Sequence, residues 1–286
     1  MNILVTFNSD YLMPARVLIR SILENNSGEI TIFILHHSLS DEEQSILRRD
    51  VETGGCTKVV FLFAEKLIHC DNPNGSWISD DTYLRLMAQE LLPQDVKRYL
   101  YLDADTVVRS SLEEFYQQDM EGNLIAALGF DSSEGVKHGP KYRDPILFST
   151  ESFYFYANVM LVDLEAVRKE VDSSVYFRII ERMGERLRGK DQDVLNIVFN
   201  GRVKVLDMKY DTSTACRDAA DNVTFLHYGG SRKPWKYCYD LPGAEIFWEY
   251  AGKFPEYRIL RDGILAAQEQ FKADRKRETA AEINQE

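Results

Sequence analysis

The first hundred residues repeat one pattern, and that pattern narrows the fold more than anything else in the chain. A short apolar run is followed by a longer stretch with apolar residues at helical spacing. Ile3 to Phe7 is the first run. Pro14 then suits a first helical turn, and Val17, Leu18, Ile22 and Leu23 recur on one helical face. Ile30 to Leu35 is the second run. Ser40 and Glu43 form a capping box for a helix that stops near Gly54-Gly55. Val59 to Phe63 is the third run, Thr82 to Leu92 is helical and ends at Pro93, and Tyr99 to Leu102 is the fourth run. This order predicts an α/β fold with a mostly parallel central sheet and helices on both faces. Such sheets bind ligands outside the carboxyl ends of their strands, where the strand order reverses. Polar residues directly after a strand are therefore the ones to examine.

Beyond residue 120 the pattern loosens. Leu124 to Leu128 and Val159 to Val162 read as strands. The stretch 132–152 contains Gly135, Gly139, Pro140 and Pro145, and its length suits a lid or an acceptor site. A helix covers Glu165 to Leu187 with a break near Asp172-Ser173-Ser174, and another follows Asp191. From Arg258 onward, Ile259, Leu260, Ile264, Leu265 and Phe271 make an amphipathic surface helix. Arg275, Lys276 and Arg277 beyond it allow at most a weak contact with an anionic membrane, which the following acidic residues weaken.

Composition excludes several classes. A chain of 286 residues fits one large α/β domain or two small ones. Its net charge of −12 disfavours nucleic acid, although a bound divalent cation would reverse the local sign for a small phosphorylated ligand. Cys56, Cys70, Cys216 and Cys238 show no CxxC spacing, so neither zinc nor redox chemistry is indicated. Asn8, Ser9 and Asp10 end the first apolar run too early for a signal peptide. No apolar stretch approaches the ~20 residues that cross a bilayer. The expected setting is the reducing cytoplasm, with at most a peripheral attachment at the inner membrane face.

The strongest chemical signal is Tyr99-Leu100-Tyr101-Leu102-Asp103-Ala104-Asp105. A buried strand runs straight into two carboxylates one residue apart. Continued strand geometry would put both on one face, where Mg²⁺ or Mn²⁺ compensates their repulsion. Two solvated acids at a strand end are the plainer alternative. Asp103-Ala104-Asp105-Thr106 also fits the Asp-x-Asp-x-Thr motif of haloacid-dehalogenase-type phosphatases, in which the first Asp is a nucleophile. That motif follows the first strand of its fold, and here three strands come earlier.

The second signal is His227-Tyr228-Gly229-Gly230-Ser231-Arg232-Lys233-Pro234-Trp235, directly after the apolar run Val223 to Leu226. A neutral imidazole can be a third metal ligand. The two glycines let backbone approach a ligand, and Lys233 can neutralise a phosphate. A lone histidine here would more often be structural, and the compact set argues against that. The third signal, Asp191-Gln192-Asp193, opens a helix. Capping and the helix dipole would account for Asp191, while gripping sugar hydroxyls is the functional alternative for Asp191 and Gln192. Arg85 pairs either with a structural carboxylate or with a ligand.

Taken in order, these motifs resemble glycosyltransferase family 8, the family of bacterial lipopolysaccharide galactosyl- and glucosyltransferases and of glycogenin. The resemblance runs from Asn2 to about Trp248 and includes Thr82-Tyr83-Leu84-Arg85. It implies a GT-A fold with a smaller acceptor-side sheet and loop region. It also implies a retaining transfer of galactose or glucose from UDP-galactose or UDP-glucose to a hydroxyl of a glycan or glycolipid such as lipopolysaccharide. Mn²⁺ or Mg²⁺ is the implied cofactor. By position, Asp103, Asp105 and His227 are the implied metal ligands. Thr6, Asn8, Asp10, Arg85, Ala104, Asn158, Asp191, Gly230 and Lys233 are the implied donor contacts, with Asn8 and Asp10 near uracil and ribose and with Lys233 and Gly230 near the diphosphate. Gln192, with Asp191, is the implied catalytic residue beside the anomeric carbon. The expected organisation is one GT-A domain over 1–250, divided into a nucleotide-binding half (1–110) and a closing half (111–250), with a helical tail at 251–286. A phosphatase, or a noncatalytic nucleotide-sugar-binding protein, is the alternative.

Two positions depart from the family. Phe155-Tyr156-Ala157-Asn158-Val159 stands where Phe-Asn-Ala-Gly-Val is common, so Tyr156 and Asn158 bear on donor choice. Asn8 stands where an acid is common, which bears on recognition of the base.

Overall fold

The computed structural model describes residues 1–52, 57–65, 80–130, 153–207, 210–213, 223–236 and 241–283. The expectations for Gly54-Gly55, for 132–152, for the four cysteines and for the side chains of Arg275, Lys276 and Arg277 lie outside what it describes.

In chain order the elements are β1 (Asn2–Thr6), α1 (Leu12–Asn25), β2 (Ile30–His36), α2 (Asp41–Glu52), β3 (Thr57–Phe63), α3 (Ala88–Leu91) and β4 (Arg98–Leu102). Then come β5 (Thr106–Val108), α4 (Glu113–Tyr116), β6 (Ile125–Phe130), β7 (Tyr154–Asp163), α5 (Leu164–Glu170), α6 (Ser174–Met183) and α7 (Asp191–Val198). The last are β8 (Val203–Val205), β9 (Asp211–Ser213), β10 (Phe225–His227), α8 (Ala244–Ala251) and α9 (Arg258–Ile283).

Seven strands form the main sheet in the order β3-β2-β1-β4-β7-β6-β8. β3, β2, β1 and β4 pair in parallel, and β7 runs antiparallel between β4 and β6. Strand order reverses between β1 and β4, so the crevice at the carboxyl ends of these two strands is the expected ligand position. Side chains alternate across the sheet as the strand period requires. Ile3 and Val5 of β1 and Leu100 and Leu102 of β4 face the core that holds α1. Leu4, Tyr99 and Tyr101 face the opposite core with Tyr83, Phe155 and Phe199. Ile19 and Ile22 of α1 are fully buried, and each contributes roughly 1.5–3 kcal/mol. A third cluster packs Val17 against Tyr228, Phe247, Trp248 and Ile264, so the first turns of α9 belong to the body.

A second sheet of three strands, β5-β10-β9, lies alongside. β5 and β10 are antiparallel, with His227 opposite Thr106. This pairing brings residues 106 and 227 side by side across more than a hundred residues of chain, and it creates the site.

Several expectations need adjustment. Thr82 to Leu92 is not one α-helix. Residues Asp80–Met87 form a 3₁₀ helix, and only α3 is α-helical. The tighter winding stacks residues three apart, and Arg85 Nε donates to the Thr82 carbonyl at 3.2 Å. β7 begins at Tyr154 rather than Val159. Its register with β6 shifts at Ala127/Gly129. A side chain at Gly129 would sit 2.5 Å from the Tyr154 carbonyl, so only glycine fits that bulge. The capping box is present: Ser40 N donates to Glu43 at 2.8 Å, and Glu43 N donates to Ser40 Oγ at 3.3 Å. The helix break also falls where expected, between α5 and α6. Among the described residues no helix is long and apolar enough to cross a membrane.

Candidate active site

β4 delivers Asp103 and Asp105 to the crevice, and β10 delivers His227. One ligand atom from each lies within 4.8 Å of the others. His227 Nε2 is 3.3 Å from Asp105 Oδ1 and 3.7 Å from Asp103 Oδ2. Backbone bonds fix both acids: Asp103 N donates to the Asn158 carbonyl at 2.8 Å, and Tyr228 N donates to the Asp105 carbonyl at 2.9 Å.

The second oxygen of each aspartate is engaged elsewhere. Asp103 Oδ1 accepts from Tyr101 OH and pairs with Arg85 Nη2, both at 2.9 Å. Asp105 Oδ2 pairs with Lys233 Nζ at 2.5 Å. Fixed cations and a phenol thus turn the acids so that one oxygen of each faces the imidazole. Burial alone would raise the Asp105 carboxyl, but His227 and Lys233 outweigh it and hold it well below the usual carboxylate range.

Arg85 is the hub of the buried network. Its Nε pairs with Asp191 Oδ2 at 2.8 Å, its Nη1 donates to the Ala157 carbonyl at 2.6 Å, and its guanidinium lies 4.4 Å over the Tyr101 ring. It therefore joins two carboxylates from distant segments, Asp103 and Asp191. Burial pushes the Asp191 carboxyl up, against the downward pull of Arg85.

Thr6 Oγ1 lies 2.9 Å from Tyr101 OH, and Ala104 is buried between the acids. Lys233, only 3% exposed, also donates to the Tyr228 carbonyl at 2.6 Å. Gly230 has φ +81°, the left-handed conformation that glycine adopts without cost. Gln192 is fixed at both ends of its amide: Oε1 accepts from Ala157 N and Nε2 donates to Tyr154 OH, both at 3.1 Å. Asn8 and Asp10 lie past β1. Asn8 Oδ1 accepts from Asp10 N at 3.1 Å, and Asn8 Nδ2 donates to Asp81 Oδ2 at 2.6 Å.

Sequence alone assigned no role to several contributors. Asp193 is fully buried and accepts from Tyr154 OH at 2.6 Å and Gly189 N at 2.7 Å. Tyr101 was visible only as a strand residue. Tyr11 packs edge-on against Trp235, with ring centroids 5.9 Å apart, and Lys233 Nζ lies about 6 Å from both rings. Burial raises the Tyr11 phenol, and Asp105, Asp103 and Asp10 push it the same way. The signal that would have found Tyr101 and Tyr154 is a hydroxyl on a strand that is otherwise apolar.

Known proteins resemble this chain in sequence and in fold. A family model described as Glycosyl transferase family 8 matches residues 2–238. The Lipopolysaccharide 1,2-glucosyltransferase of Escherichia coli is 26% identical over 263 residues, which span 84% of this chain and 74% of the relative. The Lipopolysaccharide 1,3-galactosyltransferase of Salmonella typhimurium is 25% identical over 274 residues, spanning 89% and 78%. The crystal structure of galactosyltransferase LgtC with donor and acceptor sugar analogs superposes with a TM-score of 0.75 at 25% identity, covering 90% of this chain and 99% of that one.

Proposed function

We propose, given that this chain belongs to glycosyl transferase family 8, that it transfers galactose or glucose from a UDP-sugar to an acceptor hydroxyl with retention of configuration. Relatives named for lipopolysaccharide glucosyl and galactosyl transfer support a hexose and a cell-surface glycan acceptor. The observation that carries the reading is the meeting of Asp103, Asp105 and His227. Two carboxylates and one imidazole are a donor set that suits Mn²⁺ or Mg²⁺. A cation held by these three residues would offset the charge of the donor diphosphate as UDP departs.

The chain's own residues do the rest. Lys233 supplies a preorganised positive charge beside Asp105. Arg85 holds Asp103 and Asp191 in fixed orientation, and Asp191 is then set to grip donor-sugar hydroxyls. Gln192, clamped by Ala157 and Tyr154, faces the reacting carbon with an amide, which is a poor nucleophile. Of the two carboxylates that flank it, Asp191 is tied to Arg85, and Asp193 is buried and held by Tyr154 and Gly189. The acceptor hydroxyl therefore attacks from the face that UDP leaves, and the departing phosphate takes its proton. We read residues 1–250 as one GT-A domain, with 1–110 binding the nucleotide, 111–250 closing over it and 251–286 as a tail. The cytoplasm is the setting that fits these substrates.

Thermal-shift screening of UDP-sugars with and without Mn²⁺ tests the donor and the metal together, because a ligand of the native state raises the melting temperature. Equal stabilisation in EDTA would remove the metal from the reading. Proton NMR of the product tests retention, and a covalent sugar adduct on the enzyme would overturn front-face attack.

A further inference from the structure

A carboxylate that the motifs did not single out sits at the far end of the crevice. Asp81 is the second residue of the same 3₁₀ segment that carries Arg85. Its Oδ2 accepts from Asn8 Nδ2 at 2.6 Å, and its Oδ1 pairs with His37 Nδ1 at 2.9 Å. Asn8 follows β1 and His37 follows β2, and these strands are neighbours, with Thr6 opposite Leu35. All three side chains thus gather at the carboxyl ends of the parallel strands, on the side of β1 away from β4.

The amide of Asn8 has a forced orientation. A carboxylate only accepts, so Nδ2 must face Asp81. Oδ1 is then the atom that takes the Asp10 N–H, as observed at 3.1 Å. Asn8 is therefore spent on positioning, and of the two acids beside it Asp10 is exposed while Asp81 is the one its amide holds. Its side chain is 12% exposed, and a carboxylate can accept about four hydrogen bonds in all.

We infer that Asp81 is the acid that reads the nucleobase of the donor, its carboxylate oriented by Asn8 and His37 to accept the ring N–H of uracil. The inference rests on the uridine-nucleotide reading above and adds to it the residue that selects the base. Uracil offers an N–H at ring position 3. Cytosine has a lone pair there, which a carboxylate repels. A hydrogen bond to a charged group is among the stronger ones, and a partly shielded acceptor discriminates against a base that cannot donate to it. The chain thus carries the acid opposite residue 8 instead of at it.

Calorimetric titration of the full chain with UDP and with CDP, in Mn²⁺ and without sugar, tests this. The wild type should prefer UDP. Asp81→Asn should weaken UDP binding by about 10-fold or more and bring the UDP/CDP ratio toward one. The exchange Asn8→Asp with Asp81→Asn should recover most of the preference, and it keeps the test alive if the single variant does not fold. A UDP/CDP ratio unchanged in Asp81→Asn would overturn the inference. So would an exchanged pair that folds but does not prefer UDP. A wild type that binds no nucleoside diphosphate would instead sink the donor reading itself.

Discussion

The two ends of the crevice are built on different terms. At one end Asp103, Asp105, Asp191 and Asp193 are matched by Arg85, Lys233, backbone N–H groups and tyrosine hydroxyls, nearly all of them buried. At the other, Asn8, Asp81 and His37 hold one another at the rim, with His37 27% exposed. Buried charge must be compensated before any ligand arrives, because an unpaired buried ion costs several kcal/mol. Rim charge remains partly hydrated and can be placed by one or two hydrogen bonds. The deep end is thus preorganised for charge chemistry, and the rim is free to vary in how it selects a ligand.

Asp105→Asn should be the harshest probe of the deep end. It keeps the shape of the side chain but removes the charge that faces both His227 and Lys233. Transfer should fall by on the order of 10³-fold, and the Mn²⁺-dependent rise in melting temperature should vanish. Alanine is the poorer choice, since it would also remove the oxygen that accepts from Lys233. If Asp105→Asn retained metal-linked stabilisation, the deep end would not be a cation site.

Arg85→Lys comes next. A lysine cannot span Asp103, Asp191 and the Ala157 carbonyl with one planar fork. Denaturant unfolding should show a loss of about 2 kcal/mol, and activity should fall about 100-fold. A variant with unchanged stability would mean that the buried network is not mutually supporting. Gly229→Ala is milder and more local. A Cβ there would lie 2.9 Å from His227 Cε1, so the imidazole must shift. Mn²⁺ affinity should fall about 10-fold, the range for disturbing a ligand's support, while UDP binding without metal should hold steady.

The fold was largely legible because β1, β2 and β4 are buried on both faces and so appear as uninterrupted apolar runs. Their carboxyl ends then exposed Asn8 and Asp103 as residues of interest by position alone. What stayed hidden is what folding creates between distant segments. Nothing local to Arg85 indicates that Asp103 and Asp191 will converge on it, and nothing near Asn8 points to Asp81. β5, β8 and β9 are three residues each, too short for periodicity to reveal. Thr82 to Leu92 carried a helical pattern, and its spacing gave no sign that residues 80–87 wind as 3₁₀ with Tyr83, Leu84 and Leu86 all buried.

The smallest effect expected belongs to His36, just behind the rim. It is buried between Phe61 and Phe63, and its Nδ1 accepts from Leu39 N at 3.2 Å. That bond needs an unprotonated Nδ1. Burial lowers its pKa, the neighbouring His37 lowers it further, and Glu43 opposes both. In the unfolded chain the imidazole takes a proton near pH 6.5, whereas in the fold it does so only at lower pH. Between those two values the unfolded state binds more protons, so stability falls as pH drops. The loss begins as pH falls through about 6.5 and is complete below the folded-state pKa. His36→Asn keeps an acceptor for Leu39 without the titration. Its melting temperature should therefore decline less than the wild type's between pH 7 and pH 5. Parallel declines would show that this corner of the rim does not couple to pH through His36.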